Sequence, residues 1–268
     1  MKYEIKYQPS YSLLEVSLDD GETVTGEGGS LTYMTPNIEV NARARERSIL
    51  GTLKTSILGG QSLFVTDFTS RGGPGKLALV AAPIGDITKL PVAPGKGWVV
   101  QRSGYLASTN KVDLDVRWEG FSRGIFGQGL FMVKVTGEGD LFVNTFGAID
   151  KHVLGQGEQL VVDNFHLAAF SDSCEYDVRK FGNWKDTILS GEGFVTYIEG
   201  PGEVYIQTKN LREFVDWLWV LIGPRVAARS ARSAAGRLST NPTISSRSFT
   251  IVLHPLSISL LAHASSLQ

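Results

Sequence analysis

Cys174 and His166 have the chemistry of a nucleophile and a base, and Asp163 and Asp172 stand beside them. An imidazole that takes the proton of a thiol, leaving a thiolate nucleophile, is the chemistry such a pair performs. Eight residues of extended chain span about 26 Å, so only a hairpin could bring the two side chains together. Segment 104–116 repeats segment 166–178 and puts Gly104 and Val112 at the matching positions. A packed histidine and a small buried thiol therefore account for the pair better.

Carboxylates make a second candidate. Asp113/Asp115 and Glu175/Asp177 sit at i and i+2, with Glu39 at the matching place earlier in the chain. On a strand this spacing puts both carboxylates on one face, where they could hold a cation or do acid–base work. A solvated strand face is the plainer reading. "GGPGKLA" (72–78) has the glycines and lysine of a phosphate loop, but Leu77 follows Lys76 where Ser or Thr is needed, and no helical pattern follows. His152, His254 and His263 lack metal-ligand spacing, and no G-x-S-x-G occurs. We assign no catalytic residue, no metal and no cofactor.

Three connectors are basic. They read "NARARERSILGTLKTSILGG" (41–60), "RWEGFSRGIFGQG" (117–129) and "RKFGNWKDTILSGEG" (179–193). If they gather at one end of the body, Arg43, Arg45, Arg47, Arg117, Arg123, Arg179 and Lys180 form a cationic face edged by Trp118 and Trp184, able to attract phosphate groups. Interleaved Glu46, Glu119 and Asp186 fit ordinary loops equally well.

The elements that carry these residues repeat. Gly137-Glu138-Gly139-Asp140 aligns with Gly200-Pro201-Gly202-Glu203 at an offset of 63, without a gap from Phe131/Phe194 to Thr145/Thr208. Gly73-Pro74-Gly75-Lys76 aligns with the same turn at an offset of 64. "GYLASTNKVDLDV" (104–116) matches "HLAAFSDSCEYDV" (166–178) at 62, and "GGSLTYMTPNIEV" (28–40) is the weaker first copy. Period-2 alternation rich in β-branched and aromatic residues predicts half-buried strands. One hairpin cannot hide its apolar face alone, so several must share a core. The expected fold is all-β: a sandwich or barrel-like body of three pseudo-repeats of about 62–64 residues over 1–208. The expected units are hairpins around each Gly-x-Gly turn, with the last hairpin, 193–208, closing the sheet against the first unit.

Residues 209–222, "KNLREFVDWLWVLI", switch to helical spacing. Asn210 and Glu213 have the spacing of a capping box, and Gly223-Pro224 predicts the stop. Leu211, Phe214, Val215 and Leu218 form a stripe that would dock the helix on the sheets. Phe214, Trp217 and Trp219 would then make it an interface with a second subunit, or with a membrane surface, because Arg225 and Arg229 follow. Residues 223–268, rich in Arg, Ser and Ala, read as a flexible tail.

The 268 residues carry 26 Lys+Arg against 27 Asp+Glu, a net charge of −1. That balance does not favour nucleic acid as the partner. A lone cysteine excludes an internal disulfide framework. "MKYEIKYQPS" has no apolar h-region, and no run reaches about 18 apolar residues, so neither a leader nor a transmembrane helix is expected. A prokaryotic source would make the chain cytoplasmic.

"TGEGGSLTYM", "GQGLFMVKVTGEGDLFVNTFG", "EQLVVDNFHLAAF" and "GPGEVYIQTKNLREFVDWLW" together resemble the AIM-type mitochondrial biogenesis family (altered inheritance of mitochondria), over about residues 1–222. The resemblance implies a β-rich fold similar to the tryptophan RNA-binding attenuation protein, assembled as a trimer or larger ring. It implies no catalytic residue and no cofactor. The tail after about 225 departs from the family pattern. The combined expectation is a non-enzymatic, homo-oligomeric scaffold or binding protein. The alternatives are an anion, phospholipid or nucleic-acid binder using the basic connectors, and a small-ligand enzyme using carboxylates in a cleft.

Overall fold

The computed structural model describes residues 1–44, 64–81, 84–115, 132–180 and 194–239. The first repeat holds β1 (Lys2–Lys6), β2 (Leu13–Leu18), β3 (Thr23–Glu27), β4 (Leu31–Met34), β5 (Ile38–Ala44), β6 (Phe64–Ser70) and β7 (Gly75–Leu79). The second holds β8 (Ile87–Val92), β9 (Trp98–Gln101), β10 (Tyr105–Thr109), β11 (Val112–Asp115), β12 (Met132–Gly137) and β13 (Gly139–Asn144). The third holds β14 (Ile149–Leu154), β15 (Gln159–Asp163), β16 (Leu167–Ser171), β17 (Glu175–Lys180), β18 (Phe194–Glu199) and β19 (Gly202–Gln207).

The repeat is real at the level of strand pairing. β7 lies between β2 and β4, as β13 lies between β8 and β10 and β19 between β14 and β16. β6 lies between β3 and β5, as β12 lies between β9 and β11 and β18 between β15 and β17. Even the irregularity recurs, because the register slips between Leu31 and Tyr33, between Tyr105 and Ala107, and between Leu167 and Ala169. An all-β, sandwich-like body of three repeats is the observed architecture.

The expected hairpins are not the observed ones. β12 pairs with β9 and β11, while β13, which starts two residues after β12 ends, pairs with β8 and β10. The Gly-x-Gly turn thus carries the chain from one sheet into another. Gly137 and Gly139 hold φ of 106° and 145°, values that a side chain resists. A Cβ on Gly137 would lie 2.3 Å from the Lys111 carbonyl oxygen. Among the described residues the hairpins are β1–β2, around Pro9, and β5–β6, β11–β12 and β17–β18, and the basic connectors join the strands of the last three. β18 and β19 complete the third repeat and do not close a sheet against the first.

Among the described residues, two ladders join the repeats. β10 pairs with β3, and β16 pairs with β9, both antiparallel. The described residues form sheets of four, six, six and three strands. Both six-stranded sheets are covered on two sides. In β13, Phe142 joins a core with Leu14, Leu77 and Leu106, while Leu141 and Val143 join another with Trp98, Val133 and Tyr205. A third core gathers Phe170, Ile198 and Val204.

Helix α1 runs Leu211–Ser239, through Pro224, so the expected stop at 222 and the first part of the expected tail are corrected. A mid-helix proline costs ~3 kcal/mol and one hydrogen bond. The stretch after it carries many Ala and Arg residues, strong helix formers, which offset that cost. The chain divides into two compact units, Met1–Asp216 and Trp217–Gln268. The first turn of α1 belongs to the first unit.

Candidate functional site

The start of α1 is fixed by a chain of hydrogen bonds. The Glu213 backbone N–H donates to Asn210 Oδ1 at 2.7 Å, as the capping pattern predicts. Asn210 is buried, and its Nδ2 lies 3.2 Å from His166 Nε2. His166 Nδ1 lies 2.7 Å from the Gln207 carbonyl oxygen. A carbonyl only accepts, so Nδ1 carries the proton and Nε2 accepts from the Asn210 amide. Phe214 packs edge-on against Phe146, with ring centroids 5.5 Å apart, and the Arg212 guanidinium lies 5.2 Å from the Phe165 centroid.

Beyond this anchor, α1 presents apolar side chains to solvent. Trp217 is 59% exposed, Trp219 47%, and Val220, Leu221 and Ile222 are exposed too. The expected docking stripe is only partly used. Phe214 meets Phe146 yet remains exposed, as do Leu211 and Val215. The Trp219 indole lies over Gly223, where an added Cβ would come within 3.0 Å of the ring. Among the described residues, no helix is long and apolar enough to cross a membrane.

The basic connectors fall mostly outside the described residues, and Arg45, Arg47, Arg117 and Arg123 all lie there. Arg43 stands opposite Val65 on the β5–β6 ladder, and Lys180 stands opposite Phe194 on β17–β18. Arg179 Nε lies 2.7 Å from Asp177 Oδ2, and its guanidinium lies 4.5 Å from the Tyr197 centroid. These residues occupy equivalent hairpin ends of the first and third repeats.

The carboxylate pairs sit on solvated faces of the edge strands β5, β11 and β17. Asp113, Asp115, Glu175 and Asp177 are exposed, Glu39 accepts from Arg71 at 2.8 Å, and Asp177 accepts from Arg179. Cys174 is buried among Phe170, Ile198 and Val204. Burial, and then the Asp172 charge, push its thiol up. Cys174 and His166 are thus engaged separately, one in a core and one at the helix anchor.

Lys76 of the "GGPGK" turn is one arm of a repeated ion pair. Lys76 Nζ lies 3.1 Å from Glu15, Asp140 lies 3.4 Å from Lys89 Nζ, and Glu203 lies 2.9 Å from Lys151 Nζ. Each pair joins equivalent strands, and its sign inverts after the first repeat. Tyr33, Lys6 and Lys76 together hold the Glu15 carboxyl down, at about 2.

An open cleft of about 460 Å³ lies where turns of the second and third repeats meet, lined by Gly95, Lys96, Lys111, Gly137, Glu138 and Asp172 among others. Asp172 Oδ1 accepts from the Gly97 N–H at 2.9 Å, and Lys134 lies 3.8 Å from its other oxygen. Its carboxylate thus fastens one turn to another.

The family model described as mitochondrial biogenesis AIM24 matches residues 3–209. The chain belongs to the AIM24 family. An uncharacterised protein of Streptococcus pyogenes serotype M6 is 30% identical to this AIM24 protein over 225 residues, covering 81% of this chain and 90% of its own. The crystal structure of a Streptococcus pyogenes protein from a structural genomics consortium is similar at a TM-score of 0.67 and 32% identity, over 81% of this chain and 97% of that one. The AIM24 match stops one residue before the Asn210 cap, so it contains His166 and Gln207 but not α1. The cap spacing of Asn210 and Glu213 is legible in the sequence, whereas its partner His166 is not, because that contact joins residues 44 apart.

Proposed function

We propose that this AIM24 protein is a non-catalytic scaffold that works as a homo-oligomer, a trimer first, and that α1 is its docking element toward a neighbouring subunit. The observation that carries this reading is the exposure of Trp217, Trp219, Val220, Leu221 and Ile222 on a helix whose first turn is tied down. Exposed aromatic clusters of this kind mark contact surfaces. Covering the exposed half of two indoles removes on the order of 200 Å² from water, a gain of ~5 kcal/mol before the costs of association. A cytoplasmic setting suits the single buried cysteine.

The test is the double variant Trp217→Ser/Trp219→Ser, read by light scattering and by flotation with anionic vesicles. The expected result is a lower assembly mass for the variant and no lipid binding by either protein. Loss of vesicle binding at unchanged mass would replace the subunit with a membrane surface. Unchanged mass with no lipid binding in the wild type would remove the docking role of α1. The anion-binding alternative depends on Arg43, Arg45, Arg47, Arg117, Arg123, Arg179 and Lys180 acting together, and Arg179 is already paired with Asp177.

A further inference from the structure

The repeat defines three equivalent ladders between units, and two of them form among the described residues. β10 lies against β3 with Ala107 opposite Gly26, Ser108 opposite Thr25 and Thr109 opposite Val24. β16 lies against β9 with Ala169 opposite Val100, Phe170 opposite Val99 and Ser171 opposite Trp98. The third ladder would join β4 of the first repeat to β15 of the third. β4 is instead the edge of the four-stranded sheet, and β15 the edge of the three-stranded sheet.

The shared bulge fixes what that ladder would be. Tyr33 follows the slip in β4 as Ala107 and Ala169 follow it in β10 and β16. Val162 faces β18 where Val100 faces β12. Equivalence therefore sets Tyr33 opposite Val162, Met34 opposite Val161 and Thr35 opposite Leu160. Exposure tells the same story. Ala107, Ala169 and Phe170 are fully buried and Val99 is 2% exposed, yet Tyr33 is 44%, Met34 38% and Val161 47% exposed. Among the described residues no strand covers the outer side of β4 or β15, and an edge of this kind beside apolar side chains is a template for another strand.

We propose that β4 of one copy pairs with β15 of a second copy, in the register of the two internal ladders, so that the protein assembles head to tail. A second copy is the fitting occupant because both complementary edges belong to the same chain, and the internal ladders already show this strand type accepting that one. Such a heterologous contact closes into a ring or grows into a chain of copies. The proposal rests on the oligomeric reading above and supplies its contact.

The experiment uses full-length Met34→Cys and Val161→Cys proteins, alone and mixed after dissociation and reassembly, then mildly oxidised. Residues directly opposite in an antiparallel ladder have Cα atoms ~4.5–5.5 Å apart, within disulfide reach. The buried Cys174 is common to every sample, and oxidised wild type is the control. The expected result is a disulfide dimer in the mixture, well above either single variant, and a series of multiples from a chain carrying both substitutions. A mixture no more cross-linked than the single variants would overturn the proposal. So would a doubly substituted chain that oxidises only within itself, since β4 and β15 would then close inside one molecule. If a variant misfolds by circular dichroism, Thr35→Cys and Leu160→Cys test the same register. Light scattering separates the two readings. A monomer removes the oligomer along with the ladder, whereas an oligomer without cross-links removes the ladder alone.

Discussion

Glu27 gives the fold a pH dependence that can be worked out in advance. It ends β3, opposite Val65, close to the ladder that joins the first two repeats. Burial raises its carboxyl from 4.5 to about 7, and the Arg102 charge pulls the other way. The folded state therefore holds a proton between pH 4.5 and 7 that the unfolded chain releases. Stability attributable to Glu27 falls as pH rises through that window and is flat above it. At ~1.36 kcal/mol per pH unit the ceiling is about 3.4 kcal/mol, and the residual solvent contact of a half-buried group reduces this to about 2 kcal/mol. Glu27→Gln should match the wild type near pH 4 and be more stable by about that amount at pH 8. Urea unfolding of both proteins from pH 4 to 8 measures it, and the difference between them isolates Glu27 from carboxylates held low, such as Glu15 and Glu203. Curves that stay parallel across the range would show that the Glu27 carboxyl is not desolvated.

Asn210→Ala should cost ~1 kcal/mol through loss of the cap and should speed hydrogen exchange in the first turn of α1; unchanged exchange there would mean that the cap and its His166 partner do not hold the helix. Reversing one charge, Lys151→Glu, should destabilise by ~0.2–1 kcal/mol, and adding Glu203→Lys should restore the loss. Additive losses in that double-mutant cycle would deny the pair. Gly95→Ala, at a positive φ in open space, should cost ~1 kcal/mol. Gly137→Ala must also move the Lys111 carbonyl and should cost ~3 kcal/mol or more. Equal costs would contradict the sheet-to-sheet turn.

The β class, the three repeats and the Asn210 cap were legible because alternation, glycine turns and capping residues act locally. Which strands pair was not. Strands of a hairpin and strands that cross between sheets alternate alike, so β12 and β13 read as partners although each pairs elsewhere. Lys76, Asp140 and Glu203 align at one repeat position and read as turn residues; that each pairs with a charge was not legible, because Glu15, Lys89 and Lys151 lie diagonally across from them only in the fold. The helix passes Pro224 because the propensity of the following residues outweighs one broken hydrogen bond. His166 carried no signal beyond its residue type, since its role depends on Gln207 and Asn210, which fall beside it only in the fold.

The solution mass of the full-length chain, followed by light scattering over a dilution series, tests the scaffold reading most directly. We expect a defined multiple of the chain mass, three first, that falls when Trp217 and Trp219 are replaced by Ser. A single-chain mass at every concentration, the same for wild type and variant, would contradict it.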